Sequence, residues 1–164
     1  MFAPYEPGNE AAWLASFSFS VDVRPRYCEC DGQGHVSNVV YPMYLELSRL
    51  QYFEAARDPE PRASFAFQHV TAELQLRYLA AAYYDEPLCV FSKLVALGRS
   101  SATMHQAIVA ADGGFRAIAT TTIVRARPSG IGSLPWSAAQ HVALEAFDGG
   151  WRLAPGAEVS ATTH

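Results

Sequence analysis

The strongest constraint on the fold is a predicted helix that is apolar on most of its circumference. It runs from Tyr41 to about Arg57, and Pro42 fits its first turn, where a missing N–H group costs little. Its apolar and small positions are Tyr41, Met43, Tyr44, Leu45, Leu47, Ser48, Leu50, Tyr52, Phe53, Ala55 and Ala56. Because these positions lie on several sides of the helix, we expect other structure to enclose it. Glu46 and Arg49 are expected to pair and limit the cost of their burial.

Most of the remaining pattern is strand, with apolar and polar residues alternating as in a half-buried strand. The strand segments are residues 16–24, 70–78, 88–97, 102–111 and 115–127. Asp112-Gly113-Gly114 is a strong hairpin signal between the last two. A sheet curled around the helix gives both elements a surface to bury, so the sequence predicts an α+β fold with five antiparallel strands around one long helix.

The chain is long enough for one domain with a proper core, since half of its 164 residues are apolar. We predict an N-terminal arm over residues 1–15, with a short helical turn at Glu10–Leu14. The folded domain covers residues 16–127, and a C-terminal extension covers residues 128–164. Within the extension we predict a short helix near residues 137–147, packed outside the sheet, and then a loose tail.

Charge and hydropathy exclude several classes of protein. A net charge of −4 argues against a nucleic-acid surface or a polybasic membrane surface. No apolar run approaches the roughly 18–20 residues that span a bilayer, and residues 1–15 lack the pattern of a signal peptide. The three cysteines fit a reducing compartment, so we expect a cytoplasmic protein.

The cysteines also raise the question of a metal. Cys28 and Cys30 could join His35 in a metal site, but no second cysteine pair or closely spaced histidine pair follows. Small buried side chains are the better interpretation of both cysteines. We therefore expect neither a metal nor a redox cofactor.

Candidate chemistry is concentrated in the turn between the first strand and the helix. Asp31 precedes a glycine-bearing turn, and Ser37 or Asn38 can cap the helix that follows. Unpaired backbone N–H groups and the positive end of the helix dipole meet there. A carboxylate beside such oxyanion donors is the minimum apparatus for acyl transfer. The alternative is that Asp31 only stabilises the turn.

Residues 27–49 resemble a segment of the 4-hydroxybenzoyl-CoA-type acyl-CoA thioesterases. Their pattern is approximately D-x-D-x-x-G-H-V-N-N-x-x-Y-x-x-Y-x-E-x-x-R. The matching positions are Asp31, Gly34, His35, Val36, Asn38, Tyr41, Tyr44, Glu46 and Arg49. Glu29 replaces the first aspartate of the pattern, and Ser37 replaces its first asparagine. The resemblance covers about residues 16–127 and implies the hotdog fold, a five-stranded antiparallel sheet wrapped around one long helix.

The resemblance also implies roles for the turn. Asp31 would be the catalytic carboxylate, as nucleophile or as general base on water. The N–H groups of Asn38 and Val39 would polarise the thioester carbonyl. The Asn38 side chain would place water or the carbonyl, or else only cap the helix. His35 would line the acyl pocket or orient Asp31, or, as we favour, tie the turn to the sheet.

Substrate contacts follow from the same resemblance. Tyr41, Tyr44 and Phe67 are predicted to line the acyl pocket. The phosphates of coenzyme A need local cations in an acidic protein. The predicted coenzyme A contacts are Arg99, Ser100, Ser101, Arg125 and Arg127. Glu46 is a reserve catalytic acid, because a distinct branch of hotdog thioesterases takes its acid from the helix.

The predicted partners are an acyl-CoA or acyl-carrier-protein substrate and further copies of the chain. Similar enzymes form dimers with a joined ten-stranded sheet, often paired into tetramers. Three alternatives remain beside acyl-CoA hydrolysis. They are a hotdog hydratase or dehydratase using Asp31 and His35, a thioesterase acting on a carrier protein, and a non-catalytic acyl-CoA-binding domain. The pocket residues suit an aromatic acyl group and a medium fatty chain equally.

Overall fold

The computed structural model describes residues 5–56, 68–127 and 129–154. The helices within these ranges are α1 (Glu10–Leu14), α2 (Tyr41–Ala55) and α3 (Ala138–Asp148). The strands are β1 (Phe19–Val23), β2 (Gln68–Tyr78), β3 (Leu88–Leu97), β4 (Ser101–Ala110), β5 (Phe115–Ala126) and β6 (Arg152–Leu153). A short 3₁₀ turn occupies Tyr27–Glu29.

The sheet has the order β1-β3-β4-β5-β2, and all neighbours along it are antiparallel. The predicted α+β fold, a five-stranded antiparallel sheet around one long helix, is confirmed. β6 was not predicted. It adds two residues in parallel to β3, at Ala96 and Leu97, beyond the part of β3 that pairs with β1. A strand of two residues is too short to produce a periodic signal.

The sheet covers only one side of α2. Leu45, Ser48 and Tyr52 are fully buried against it, whereas Met43 and Leu50 are about half exposed. The prediction of a fully enclosed helix is therefore wrong for a single chain. Among the described residues the sheet does not close around the helix, and Met43, Leu47 and Leu50 lie exposed on the other sides of α2.

A buried hydrogen-bond network fixes α2 against three strands. Ser48 Oγ lies 2.8 Å from Ser92 Oγ in β3. Gln106 Nε2 in β4 donates to the Leu45 carbonyl and to Ser92 Oγ, at 2.9 Å each. Thr121 in β5 donates to Gln106 Oε1 at 2.9 Å. Satisfied buried networks of this kind define a single packing arrangement.

The expected pair between Glu46 and Arg49 is wrong. Arg49 donates instead to Thr71 Oγ1 in β2, at 3.0 Å, and Glu46 is exposed. Burial lowers the pKa of the Arg49 guanidinium, and the charge of Glu46 offsets part of that shift. The contact with Thr71 ties the middle of α2 to the edge strand.

The C-terminal extension completes the core at the far end of α2. The predicted short helix is present as α3, and Ser137 and Gln140 form a capping box at its start. It does not simply lie outside the sheet, because Leu144 packs in the same core cluster as Tyr52. Asp148 accepts hydrogen bonds from the Tyr52 hydroxyl at 2.7 Å and the Leu94 amide at 3.0 Å.

The N-terminal arm also packs on the domain. Its helix α1 matches the predicted helical turn, and Trp13 is buried against Ala107, Val109 and Ile118 on the outer face of the sheet. The division of the chain at residues 15 and 127 stays a prediction. None of the helices in the described ranges is long and apolar enough to cross a membrane.

Candidate active site

The turn that carries Asp31 is a tight hairpin-like loop. The Asp31 amide donates to the His35 carbonyl at 2.8 Å, and Gly34 donates back to the Asp31 carbonyl at 3.0 Å. Gly34 has φ of +82°, a conformation that a side chain would strain. Asp31 Oδ1 accepts the Gln33 amide at 2.8 Å. Asp31 is exposed, and Oδ2 has no hydrogen-bond partner among the described residues, so this oxygen is available for chemistry.

Backbone bonds hold the turn in place from two sides. Val36 donates to the Ala82 carbonyl at 2.8 Å, in the segment between β2 and β3, and His35 bridges Tyr83. The Ser37 amide donates to the Glu29 carbonyl at 2.8 Å. The position of Asp31 therefore depends on the backbone of both neighbouring segments.

The His35 ring packs edge-on against the Tyr83 ring, with the ring centroids 5.6 Å apart. Its backbone carbonyl, and not its ring, bonds to Asp31. This arrangement agrees with the favoured structural role. The alternative roles of His35, in the acyl pocket or orienting Asp31, stay predictions.

Glu29 is a buried, fully bonded carboxylate. It accepts the Arg26 amide at 2.7 Å, two guanidinium N–H groups of Arg26 at 2.6 and 3.0 Å, and the Tyr44 hydroxyl at 2.8 Å. Burial opposes its ionisation, but these hydrogen bonds outweigh burial and lower the pKa of Glu29. Burial and the bond to Glu29 raise the pKa of the Tyr44 phenol. Tyr44, a predicted pocket residue, thus anchors α2 to the 3₁₀ turn.

Two backbone N–H groups are unused at the start of α2. The helix cap is Val40, and no side chain caps it, so the predicted capping by Ser37 or Asn38 is wrong. The Ser37 carbonyl instead accepts the Val40 amide at 2.9 Å, which makes a turn of residues 37–40. The amides of Asn38 and Val39 have no partner in the described part of the chain. The resemblance implies that these two amides polarise the thioester carbonyl, and that role stays a prediction.

Tyr78, at the end of β2, was missed in the sequence. Its hydroxyl donates to the Asn38 carbonyl at 2.9 Å, and its ring packs edge-on against Tyr41 at 5.1 Å. Tyr41, a predicted pocket residue, is buried, and its hydroxyl accepts the Ala82 amide at 3.0 Å. Tyr78 therefore orients the peptide unit that ends in the Val39 amide. Phe67 lies outside the described residues.

The predicted coenzyme A contacts come together, but far from Asp31. Arg125 donates its amide to the Ser100 carbonyl at 2.8 Å, and Trp136 donates to the Arg99 carbonyl at 2.9 Å. Ser101 begins β4 beside them, and its carbonyl accepts the Trp136 indole N–H at 3.0 Å. This cluster is at the C-terminal end of α2, and the 15 residues of that helix extend over about 22 Å. A single chain does not join the cluster to the Asp31 turn.

The exposure of the three arginines differs. Arg99 and Arg127 are exposed. Arg125 is only 7% exposed, and its guanidinium donates to the Pro135 carbonyl. Of these arginines, Arg99 and Arg127 are the ones accessible to a phosphate.

A cavity of about 290 Å³ separates α2 from β2. Glu46 and Arg49 line it together with Leu50, Phe53 and His69. Burial and the charges of Arg125 and Arg49 lower the pKa of His69 to about 3, so its ring is neutral at pH 7. The reserve acid Glu46 thus borders a cavity that is lined by both polar and apolar residues.

Cys28 is exposed, which makes the interpretation of both cysteines as buried side chains wrong for Cys28. Cys28 lies in the 3₁₀ turn at Tyr27–Glu29. The described residues contain no group of three or more histidine, cysteine, aspartate or glutamate side chains that could hold a metal ion.

Comparison with known proteins places the chain in a family. Residues 33–117, just over half of the 164, match the model of the thioesterase superfamily. The chain belongs to the thioesterase superfamily.

The chain is also similar to an uncharacterized protein and to a thioesterase of known structure. Over 93 residues the chain is 34% identical to the uncharacterized protein YsmA of Bacillus subtilis (strain 168), and the match covers 57% of this chain and 62% of that protein. A thioesterase from Thermus thermophilus, solved with coenzyme A and Zn, is 28% identical with a TM-score of 0.72, and the match covers 82% of this chain and 96% of that one.

Two more distant structures support the fold alone. A thioesterase superfamily protein from Jannaschia sp. CCS1 is 22% identical with a TM-score of 0.73, over 90% of this chain and 97% of that one. A DHNA-CoA thioesterase from Staphylococcus aureus is 16% identical with a TM-score of 0.69, over 77% of this chain and 88% of that one. The predicted hotdog fold is confirmed.

Proposed function

We propose that this protein hydrolyses an acyl-CoA thioester to the free acid and coenzyme A, with Asp31 as the catalytic carboxylate. The observation that carries the proposal is that an exposed carboxylate oxygen of Asp31 and the unused amides of Asn38 and Val39 belong to the same segment between the 3₁₀ turn and α2. Membership of the thioesterase superfamily supports thioester hydrolysis in general.

The geometry supports different roles for the two carboxylate oxygens of Asp31. The Gln33 amide holds Oδ1, so Oδ2 is the oxygen that reacts. As a general base, Oδ2 takes a proton from water, and the water oxygen attacks the thioester carbon. As a nucleophile, Oδ2 attacks directly and forms an anhydride that water then cleaves. In both cases the C–S bond breaks, and the amides stabilise the charge on the carbonyl oxygen.

Coenzyme A is the proposed thiol of the substrate. The support is the Thermus thermophilus relative, whose structure contains coenzyme A. The 4-hydroxybenzoyl-CoA branch of the superfamily is our proposal for the subfamily, from the pattern of residues 27–49. A carboxylate and backbone donors suffice for this reaction, so we propose no metal or redox cofactor. Three free cysteines support a cytoplasmic location.

The proposal also requires a second copy of the chain. β2 is an edge strand of 11 residues. Exposed apolar residues lie in β2 (Val70 and Tyr78), directly after it (Leu79) and on α2 (Met43, Leu47 and Leu50). Antiparallel pairing of two β2 strands about a two-fold axis would place the end of one beside the start of the other. The Asp31 turn of one protomer would then approach Arg99 and Arg127 of its partner.

The catalytic carboxylate is tested by comparing two acids. Asp31→Asn keeps an oxygen for the Gln33 amide, so it should stay folded and lose at least about 100-fold in acyl-CoA hydrolysis. Glu46→Gln should keep nearly the full rate. Release of free thiol is measured over aromatic, short and long acyl-CoAs, crotonyl-CoA and a carrier-protein thioester. The reverse result for the two variants would move the catalytic role to Glu46.

The shared site is tested by complementation. Asp31→Asn and the double variant Arg99→Gln/Arg127→Gln should each be weak alone. Mixed at equal amounts and allowed to exchange, they should regain about one quarter of the wild-type sites, because half of the dimers are mixed and each has one intact site. No recovery in a mixture shown by native mass spectrometry to contain mixed dimers would contradict a shared site. A monomer at micromolar concentration in ultracentrifugation would also contradict it.

A further inference from the structure

The face of the sheet opposite α2 carries a second cavity, under the N-terminal arm. Its volume is about 320 Å³, and Tyr5, Trp13, Gln75, Arg77, His105 and Thr120 are among its lining residues. Residues of the same strand faces, such as Ala107 and Ile118, pack with Trp13 and not with α2. The cavity is therefore separated from the Asp31 turn by the sheet itself.

The floor of the cavity is a row of polar side chains that crosses four strands. In the strand register Gln75 pairs with Thr120, Thr120 with His105, and His105 with Lys93. The arm closes one end of this row, because Lys93 is fully buried, bonds to Ser16 Oγ and lies 4.7 Å from the Phe17 ring centroid. The other three positions remain open to the cavity.

Aromatic rings form the roof. The Trp13 ring lies 6.0 Å from the His105 ring, and Tyr5 packs edge-on against Trp13 at 5.3 Å, measured between centroids. Trp13 is only 4% exposed. A molecule that enters between the arm and the sheet would therefore meet flat apolar surfaces.

Two nitrogen atoms on this cavity lack the partners that buried polar atoms normally have. Trp13 Nε1 and His105 Nδ1 are buried, and neither has a hydrogen-bond partner within the described ranges. An unpartnered buried donor is costly, and a ligand that accepts its hydrogen bond removes that cost. Burial, assisted by the Lys93 charge, lowers the pKa of His105 to about 4, so at pH 7 its ring is neutral and has one N–H to donate.

A guanidinium lies at the rim of the cavity. Arg77 is exposed at the rim and supplies a guanidinium. Glu10 accepts hydrogen bonds from Tyr5 and the Gly8 amide, and Glu73 accepts one from Gln75, so neither of these two carboxylates is bound to Arg77 in the described chain. A carboxylate would meet donors from Trp13 and Arg77.

We propose that this cavity binds a small aromatic carboxylate of about the size of benzoate, at a site distinct from the proposed catalytic centre. The aromatic roof fits a planar ring, and the Trp13 indole N–H and the Arg77 guanidinium bind the carboxylate. The volume is at the lower end of the range for ligand pockets, which excludes a whole acyl-CoA. This inference does not depend on the proposed hydrolysis.

The test is calorimetric titration of the full chain with sodium benzoate. We expect saturable binding of one benzoate per chain, and weaker binding of benzamide, which lacks the charge. Trp13→Phe keeps an aromatic ring but removes the N–H, and Arg77→Gln removes the cation at an exposed position. Each should weaken benzoate binding at least about fivefold.

Two controls separate this site from the active site. Asp31→Asn should bind benzoate as the wild type does, and Arg77→Gln should hydrolyse acyl-CoA at the wild-type rate. Because Arg77 is exposed, Arg77→Gln should fold normally. It therefore tests the site even if Trp13→Phe folds poorly. Absence of saturable benzoate binding, binding unchanged by Arg77→Gln, or displacement of benzoate by coenzyme A would overturn the proposal.

Discussion

The two ends of α2 are built in opposite ways. At its C-terminal end, the Asp148 carboxylate accepts the Tyr52 hydroxyl and the Leu94 amide, and Leu144 and Trp136 complete the apolar packing. At its N-terminal end, the Asn38 and Val39 amides and one oxygen of Asp31 are left without partners in the described chain. The polar groups named at the C-terminal end are thus paired, whereas at the N-terminal end unpaired groups lie beside the paired Glu29 and Tyr44.

The largest effect on stability should come from a substitution at the C-terminal end of α2. Asp148→Ala leaves the Tyr52 hydroxyl and the Leu94 amide buried without an acceptor, so the free energy of unfolding should fall by about 4 kcal/mol. Asp148→Asn keeps one acceptor oxygen and should lose less. Urea denaturation measures both variants. At low temperature, the folded fraction of Asp148→Ala should hydrolyse its substrate at the wild-type rate. A large drop in that rate would mean that the C-terminal end of α2 affects the Asp31 turn.

At the N-terminal end of α2, Tyr78→Phe should change stability little and the rate of hydrolysis more. The substitution removes the hydrogen bond to the Asn38 carbonyl and leaves the ring in place, so stability should change by no more than about 1 kcal/mol. If that bond orients the oxyanion donors, the same energy lost in the transition state lowers hydrolysis about fivefold. Thiol release and urea denaturation separate the two effects. Tyr83→Phe, a nearby exposed tyrosine, is the matched control and should leave both unchanged.

The smallest predicted effect is a pH-dependent loss of stability in Glu29→Gln. The pKa of Glu29 is lower in the folded chain than the ordinary value of 4.5, so its ionised form stabilises the fold above that value. This contribution is lost as the pH falls through the lower folded value. Glu29→Gln should therefore reduce the unfolding temperature near pH 7, and its effect should shrink as the pH falls through the folded pKa of Glu29. Equal destabilisation above and below that pKa would show that shape, and not charge, is what Glu29 supplies.

Patterns within single segments predicted most of the fold. Alternation predicted β1 and β2, the turn signals between segments predicted β3, β4 and β5, and apolar residues on most of its circumference predicted α2. These signals depend on neighbouring residues, which is why they can be read without coordinates. The location of Asp31 in a loop beside unused amides was predicted in the same way, supported by a family pattern.

Contacts between distant segments were not predictable. Tyr52 and Asp148 are 96 positions apart, and Tyr78 and Asn38 are 40 apart. No local preference selects such partners. The capping error has a related cause. Ser37 and Asn38 are good capping residues, but the turn of residues 37–40 delays the helix until Val40 becomes the cap.

The buried network of Ser48, Ser92, Gln106 and Thr121 fixes the number of residues that can lie between Val40 and Ser48. Ser48 is bound to Ser92 of β3, which Gln106 also binds, so the residues between Ser48 and Val40 set how far the first turn of α2 extends from the sheet. One inserted residue there would rotate the helix start by about 100° and shift it by about 1.5 Å. Insertions and deletions are therefore excluded from this stretch by the network, although no residue of the network touches the Asp31 turn.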